Sequence, residues 1–158
     1  MGSLAPIAEL LRAEARAAGV PPDLVAAVVL QESGADPWAM RYEPAFYQRY
    51  VAALPRLSGT ERTARAISWG LMQLMGQVAR EEGFDGIWLS ELCDPRAGLR
   101  WGCRHLRRCI DRWPDIADAV AAYNAGSPRK EENGKYVNQE YVDAVLGRRA
   151  ALGPEWRA

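Results

Sequence analysis

A chain of 158 residues is the size of one domain, and a single domain over residues 1–158 is expected. Its 20 basic and 20 acidic residues balance, which argues against a nucleic-acid binder with its usual basic surplus. The hydrophobic content of 49% supplies one core, but the longest strongly apolar run, Leu24 to Leu30, is far shorter than the ~20 residues of a bilayer span, so no stable membrane insertion is expected. Met1 to Gly19 carries acidic residues inside its apolar pattern and does not read as a secretory leader, so synthesis in a cytoplasm, or earlier removal of a leader, is expected. In chain order, Ser3 is placed to cap a first helix with Leu4, Ile7, Leu11 and Ala15 on one face, ended by Gly19. Pro21-Pro22-Asp23 opens a second, with proline in the first turn and a carboxylate at the positive end of the dipole. This helix is apolar nearly all round, the pattern of a central core helix. An amphipathic segment over 43–54 follows, broken by Pro55 to Thr60. A helix is expected over 70–82 and another from Asp94-Pro95, a cap followed by proline, through Leu99, Cys103, Leu106, Ile110 and Trp113. Pro114-Asp115 begins an alanine-rich helix that ends at Tyr123-Asn124-Ala125-Gly126. Ser127 to Gly134 reads as a loop, and a last helix covers about 139–150. Strand-like alternation is nearly absent, so the expected class is mainly α, around a central buried helix.

Three cysteines cannot all pair within one chain. Cys103 and Cys109 lie six apart on one helix and face different sides, so they cannot bond to each other. The thiols read as buried, with a bridge from Cys93 to one of the others left open. The single histidine, His105, has no Cys/His partners at zinc spacing, and neither a metal nor a cofactor is expected. Arg104, Arg107 and Arg108 read as a solvated helix face.

Glu32, in Gln31-Glu32-Ser33-Gly34, ends the apolar helix. Burial against apolar side chains and the negative end of the helix dipole would both raise its pKa, and a carboxylic acid still protonated near neutral pH is what a general acid requires. The competing reading is an exposed glutamate on a last helical turn. In Ser68-Trp69-Gly70-Leu71-Met72-Gln73, a glycine at a helix start allows close backbone approach to a ligand, and Gln73 offers both donor and acceptor groups; the competing reading makes the apolar members core. Ala122-Tyr123-Asn124-Ala125-Gly126 reads either as a ligand-facing helix end or as an ordinary C-cap, and Tyr136 and Tyr141 as ligand contacts or amphipathic core.

Together, Glu32-Ser33, Gly70-Leu71-Met72-Gln73, Asp94-Pro95 with Gly98 and Gly102, Ala122-Tyr123-Asn124-Ala125-Gly126 and Tyr141-Val142 resemble, in order and over residues 20–146, the soluble lytic transglycosylase domain of the lysozyme superfamily. The resemblance implies a lysozyme-like fold with a substrate cleft. It also implies cleavage of the β-1,4 bond between N-acetylmuramic acid and N-acetylglucosamine in peptidoglycan glycan strands; a monomer is expected. Glu32 would be the catalytic acid and base, yielding a 1,6-anhydro sugar. Ser33 and Tyr141 would orient it or the substrate, Ser68, Gln73, Tyr123 and Asn124 would contact sugars, and the backbone of Gly70, Leu71 and Met72 would line the floor.

Two departures stand out. The stretch from Glu32 to Gly70 is longer than is usual in the family, and its Arg41-Tyr42-Glu43-Pro44 resembles phage and prophage wall-lysis enzymes (endolysins), made in the cytoplasm and acting on the wall in the periplasm. It brings a candidate second carboxylate, Glu43, which would activate water in a hydrolytic lysozyme or else pair with Arg41. The family often carries Glu-Thr upstream of the late tyrosine, where this chain has Asn138-Gln139-Glu140. A hydrolytic muramidase and an inactive wall-binding tail module are the alternatives.

Overall fold

The computed structural model describes residues 3–157. Helices α1 (Ala8–Ala17) and α2 (Pro22–Glu32) come first, then strand β1 (Met40–Tyr42) and the short helix α3 (Pro44–Phe46), which runs into a π-turn, Tyr47–Val51. Helix α4 (Gly59–Arg65), strands β2 (Ile67–Trp69) and β3 (Leu74–Met75), and helix α5 (Gly76–Glu81) form the middle of the chain. Helices α6 (Pro95–Arg112), α7 (Ile116–Ala125) and α8 (Gln139–Ala151) complete it. The class is mainly α, consistent with a lysozyme-like fold.

Helix α2 is the central element, as its all-round apolar sequence dictates. Leu24, Val25, Ala26, Ala27, Val28 and Val29 are fully buried, enclosed by α1, α6, α7 and α8 in one cluster. Asp23 at its start accepts from the backbone N–H of Leu24 and forms an ion pair with Arg149 at 2.8 Å, which ties α8 to α2. Asp94 and Asp115 cap α6 and α7 through the N–H groups of Ala97 and of Ala117 and Asp118. Gly126 ends α7 in the left-handed region at φ 79°. A second, smaller cluster gathers Ile67, Trp69, Leu74, Phe84, Leu89 and Leu92 around the strands.

The structure corrects four expectations. First, residues 70–82 are not one helix. Gly70 (φ 68°) and Gln73 (φ 48°) both adopt left-handed backbone, so Gly70 to Gln73 make the turn of a β2–β3 hairpin, and the helix starts only at Gly76. The hairpin joins β1 in an antiparallel sheet of order β1-β2-β3, with Met40 opposite Trp69 and Trp69 opposite Leu74. Second, the 43–54 segment is a wide π-turn instead of a regular amphipathic helix; the N–H of Ala52 donates to the carbonyl of Tyr47 at 2.8 Å, an i→i+5 bond. Third, α4 lies where only a break was expected; Ser58 Oγ caps it by accepting from the N–H of Glu61 at 3.1 Å. Fourth, Ser3 closes a 3-10 turn by accepting from Ala5 N–H and does not cap α1 itself.

Two glycines let the turn seat itself. A Cβ on Gly70 would lie 2.3 Å from the carbonyl oxygen of Leu92, and one on Gly102 would lie 2.4 Å from Met72 Sδ. Gly70 is therefore required by close approach to the chain's own backbone, not to a ligand as its sequence context suggested. Cys93, Cys103 and Cys109 are all free and buried, so the open question of a Cys93 bridge resolves to a thiol. Burial pushes Cys103 and Cys109 up to about 12. Within the basic cluster, Arg104 stacks over Trp101, and Arg107 donates to Gly19 O and pairs with Asp111. No helix among the described residues is long and apolar enough to cross a membrane.

Candidate active site

A cleft of about 630 Å3 lies between the two clusters, bordered by Glu32 and Tyr123 beside the main core and by Ser68, Leu74 and Val78 on the sheet side. Glu32 is there because α2 delivers it. A helix with no polar face must be enclosed, and its last residue emerges half-buried at the cleft.

Burial raises the Glu32 carboxyl above its ordinary value, by disfavouring the charged form. Two groups act against this. The Tyr141 hydroxyl donates to Glu32 Oε1 at 2.6 Å, and the positive charge of Arg41 favours the carboxylate; burial still prevails. Tyr141 stands behind the carboxyl and does not border the cleft. Its phenol is raised far out of its ordinary range, chiefly by burial and then by the neighbouring Glu32, so it remains a hydrogen-bond donor.

The hairpin turn is fastened from several directions. Ser33 Oγ donates to Leu71 O at 2.8 Å, and Tyr123 OH donates to Met72 O at 2.7 Å. Gln73 Nε2 donates to Ala39 O at 2.9 Å and to Gly70 O at 3.0 Å, while its Oε1 accepts from Ser68 Oγ at 2.9 Å. Both amide hydrogens of Gln73 are thus engaged by the protein, although the residue borders the cleft. Leu71 and Met72 are buried core side chains, and Gly70, Leu71, Met72 and Ser33 do not border the cleft. Of the hairpin turn only Gln73 borders the cleft, between Ser68 and Leu74, whereas sequence reasoning had placed Gly70, Leu71 and Met72 along it. Tyr123 packs its ring 5.2 Å from that of His105. Asn124 is exposed at the cleft, and its Oδ1 accepts from Asn138 Nδ2 at 2.9 Å.

Glu43 borders the same cleft, paired with Arg41 at 2.5 Å. Both expectations for this carboxylate therefore meet in one place: it is in the cleft and it is ion-paired.

Sequence reasoning missed several residues of the cleft. His105 borders it, with Nδ1 2.6 Å from Glu82 Oε1, and Arg41, Phe46, Tyr50 and Gln77 line it as well. The position of His105 depends on how α6 packs against α7, and no local signal announces it. Phe46 and Tyr50, an aromatic pair four residues apart, did carry a signal. Among the described residues, no group of three or more His, Cys, Asp or Glu side chains is arranged to hold a metal ion.

The arrangement suits proton transfer. One carboxyl of raised proton affinity, oriented by a phenol and open to a cleft, can deliver a proton to a bound ligand and take one back. The transglycosylase SLT domain model matches residues 9–144, a span that holds every residue of this site. Searches of the curated proteins and of the solved structures gave no match. The chain belongs to the transglycosylase SLT domain family, and its function is of the lytic transglycosylase type that cleaves peptidoglycan.

Proposed function

We propose that the protein cleaves the β-1,4 bond between N-acetylmuramic acid and N-acetylglucosamine and leaves 1,6-anhydro-N-acetylmuramic acid ends, with Glu32 as the single acid and base. The observation that carries this reading is the Glu32 carboxyl itself: half-buried at the cleft, raised in proton affinity and oriented by Tyr141 at 2.6 Å. Glu32 donates its proton to the leaving glycosidic oxygen as the bond to C1 breaks. The resulting carboxylate then takes the proton of the C6 hydroxyl as that oxygen bonds to C1. The enzyme returns to its starting state and no water is consumed, so one carboxylate suffices where most glycosidases use two. Tyr141 acts as a positioning residue, and Ser33, Gln73 and Tyr123 fix the turn beside the cleft. Asn124, exposed at the cleft, is the residue of the set best placed to meet a sugar directly. The long stretch between Glu32 and Gly70 supports a wall-lysis enzyme of the phage or prophage form, acting on the wall from the periplasm.

A second reading rests on Glu43, which borders the same cleft. If it activates water, the enzyme is a hydrolytic muramidase. Mass spectrometry of the fragments released from purified peptidoglycan separates the two. Products lighter by one water than the corresponding reducing ends are expected from the wild type, and none from Glu32→Gln. Hydrated reducing ends that disappear in Glu43→Gln would refute the transglycosylase chemistry.

A further inference from the structure

The segment between β1 and α4 holds an arrangement that the proton-transfer chemistry does not use. Phe46 and Tyr50 place their rings 4.8 Å apart at a tilt of 47°, and both border the cleft. Tyr50 is 50% exposed. Phe46 is half-buried, and a pair so open to water contributes little to folding, yet this one is fixed from several sides. Val51, next to Tyr50, is fully buried and anchors the turn. The guanidinium of Arg62 gathers the carbonyls of Ala52, Leu54 and Leu57 at 2.6, 2.9 and 3.3 Å, replacing the partners that a helix end leaves missing. The guanidinium of Arg49 sits 5.2 Å from the centre of the Tyr50 ring and fixes its orientation. The π-turn, a geometry frequent at functional sites, sets Tyr50 beside Phe46.

A pyranose ring has faces of C–H groups rimmed by hydroxyls. An aromatic pair with one phenolic hydroxyl matches both parts: apolar face to apolar face, with the tyrosine hydroxyl as donor or acceptor at the rim. Glu32 must lie at the scissile bond, and the ring pair borders the same cleft from a different element, the α3 and π-turn segment, whereas Glu32 ends α2. We propose that Phe46 and Tyr50 form a sugar-binding subsite outside the scissile pair, which makes the protein favour long glycan strands over short fragments. This inference rests on the glycan-cleaving reading above and adds to it where along a strand the enzyme grips.

The test uses Glu32→Gln protein, which holds strands without cutting them, and soluble glycan strands of graded length from the single disaccharide repeat upward. Affinity is expected to rise with length. Adding Phe46→Ala or Tyr50→Ala weakens binding of long strands about tenfold, the worth of about 50 Å2 of apolar ring face removed from water. The same changes lower the ratio of long-strand to short-strand affinity, which a general loss of folding would not. Tyr50→Trp retains the ratio. Trp38→Ala, which removes a ring 74% exposed but outside the cleft lining, leaves it at the parent value. An affinity independent of length, or a ratio untouched by both alanine variants, overturns the subsite. A wild type that releases no fragments while the length dependence persists would instead count against the cleavage reading and leave the subsite standing.

Discussion

Replacing Gln73 distinguishes a residue that locks the hairpin turn from one that binds sugar. Its backbone is left-handed at φ 48°, a conformation glycine adopts freely, so Gln73→Gly removes the side chain without distorting the chain. Three hydrogen bonds disappear: two donated by Nε2 and one accepted by Oε1. None of the partners is left bare. Ala39 O still accepts from Gly70 N–H at 2.8 Å, Gly70 O from Gln73 N–H at 3.2 Å, and Ser68 Oγ has Arg41 O at 3.3 Å. The loss is therefore the ordinary net value of each bond, not the larger cost of orphaned groups, and comes to about 2–4 kcal/mol in all. For a domain of this size that lowers the melting temperature by about 5–15 °C. Thermal unfolding followed by circular dichroism reads the change directly. A Gln73→Gly protein that melts with the wild type but binds glycan tenfold more weakly would refute the turn-lock assignment and return the amide to the substrate.

Two further predictions concern Glu32. The Tyr141 hydroxyl stabilises the carboxylate, so Tyr141→Phe is expected to raise the Glu32 pKa further and move the alkaline limb of the kcat/KM profile, where the acid is lost, to higher pH; a limb that moved to lower pH would show that the phenol favours the protonated form. Because folding raises the Glu32 pKa above its ordinary 4.5, the contribution of this group to stability is complete below about pH 4.5 and declines as pH rises through the folded value. Glu32→Gln is accordingly expected to unfold at higher temperature than wild type at neutral pH, with the gap narrowing on acidification; a gap that widened in acid would contradict the raised pKa.

The parts of the fold legible in the sequence were those set by local chemistry. Helix α2 was readable because no arrangement of Leu24 to Leu30 offers a polar face, and α6 and α7 because Asp94-Pro95 and Asp115 are caps with one reading each. The hairpin was not. Leu71, Met72, Leu74 and Met75 have helical propensity, and what overrides it is tertiary: Gly70 lies against the Leu92 carbonyl and the Gln73 amide ties to Ala39. The omission of α4 had a different cause. Ser58 and Glu61 stand in the spacing of a capping signal, and the neighbouring proline and glycines obscured it. In the site, Glu32 was readable from its place at the end of an apolar helix. Its contact with Tyr141 spans 109 residues, and sequence reading reached it only through the family resemblance.

That separation has a consequence for how activity arises as the chain folds. The acid comes from the second helix and its hydrogen-bond donor from the last, while Asp23 and Arg149 close a loop of still greater span. Contacts so remote form late, after the ordering entropy of the intervening chain has been met. During synthesis, a chain still lacking α8 can bury α2 against α1 but has no donor to orient the Glu32 carboxyl. The setting of the Glu32 carboxyl is therefore completed only once α8 has docked on α2, so orientation of this carboxyl and closure of the main core are the same event.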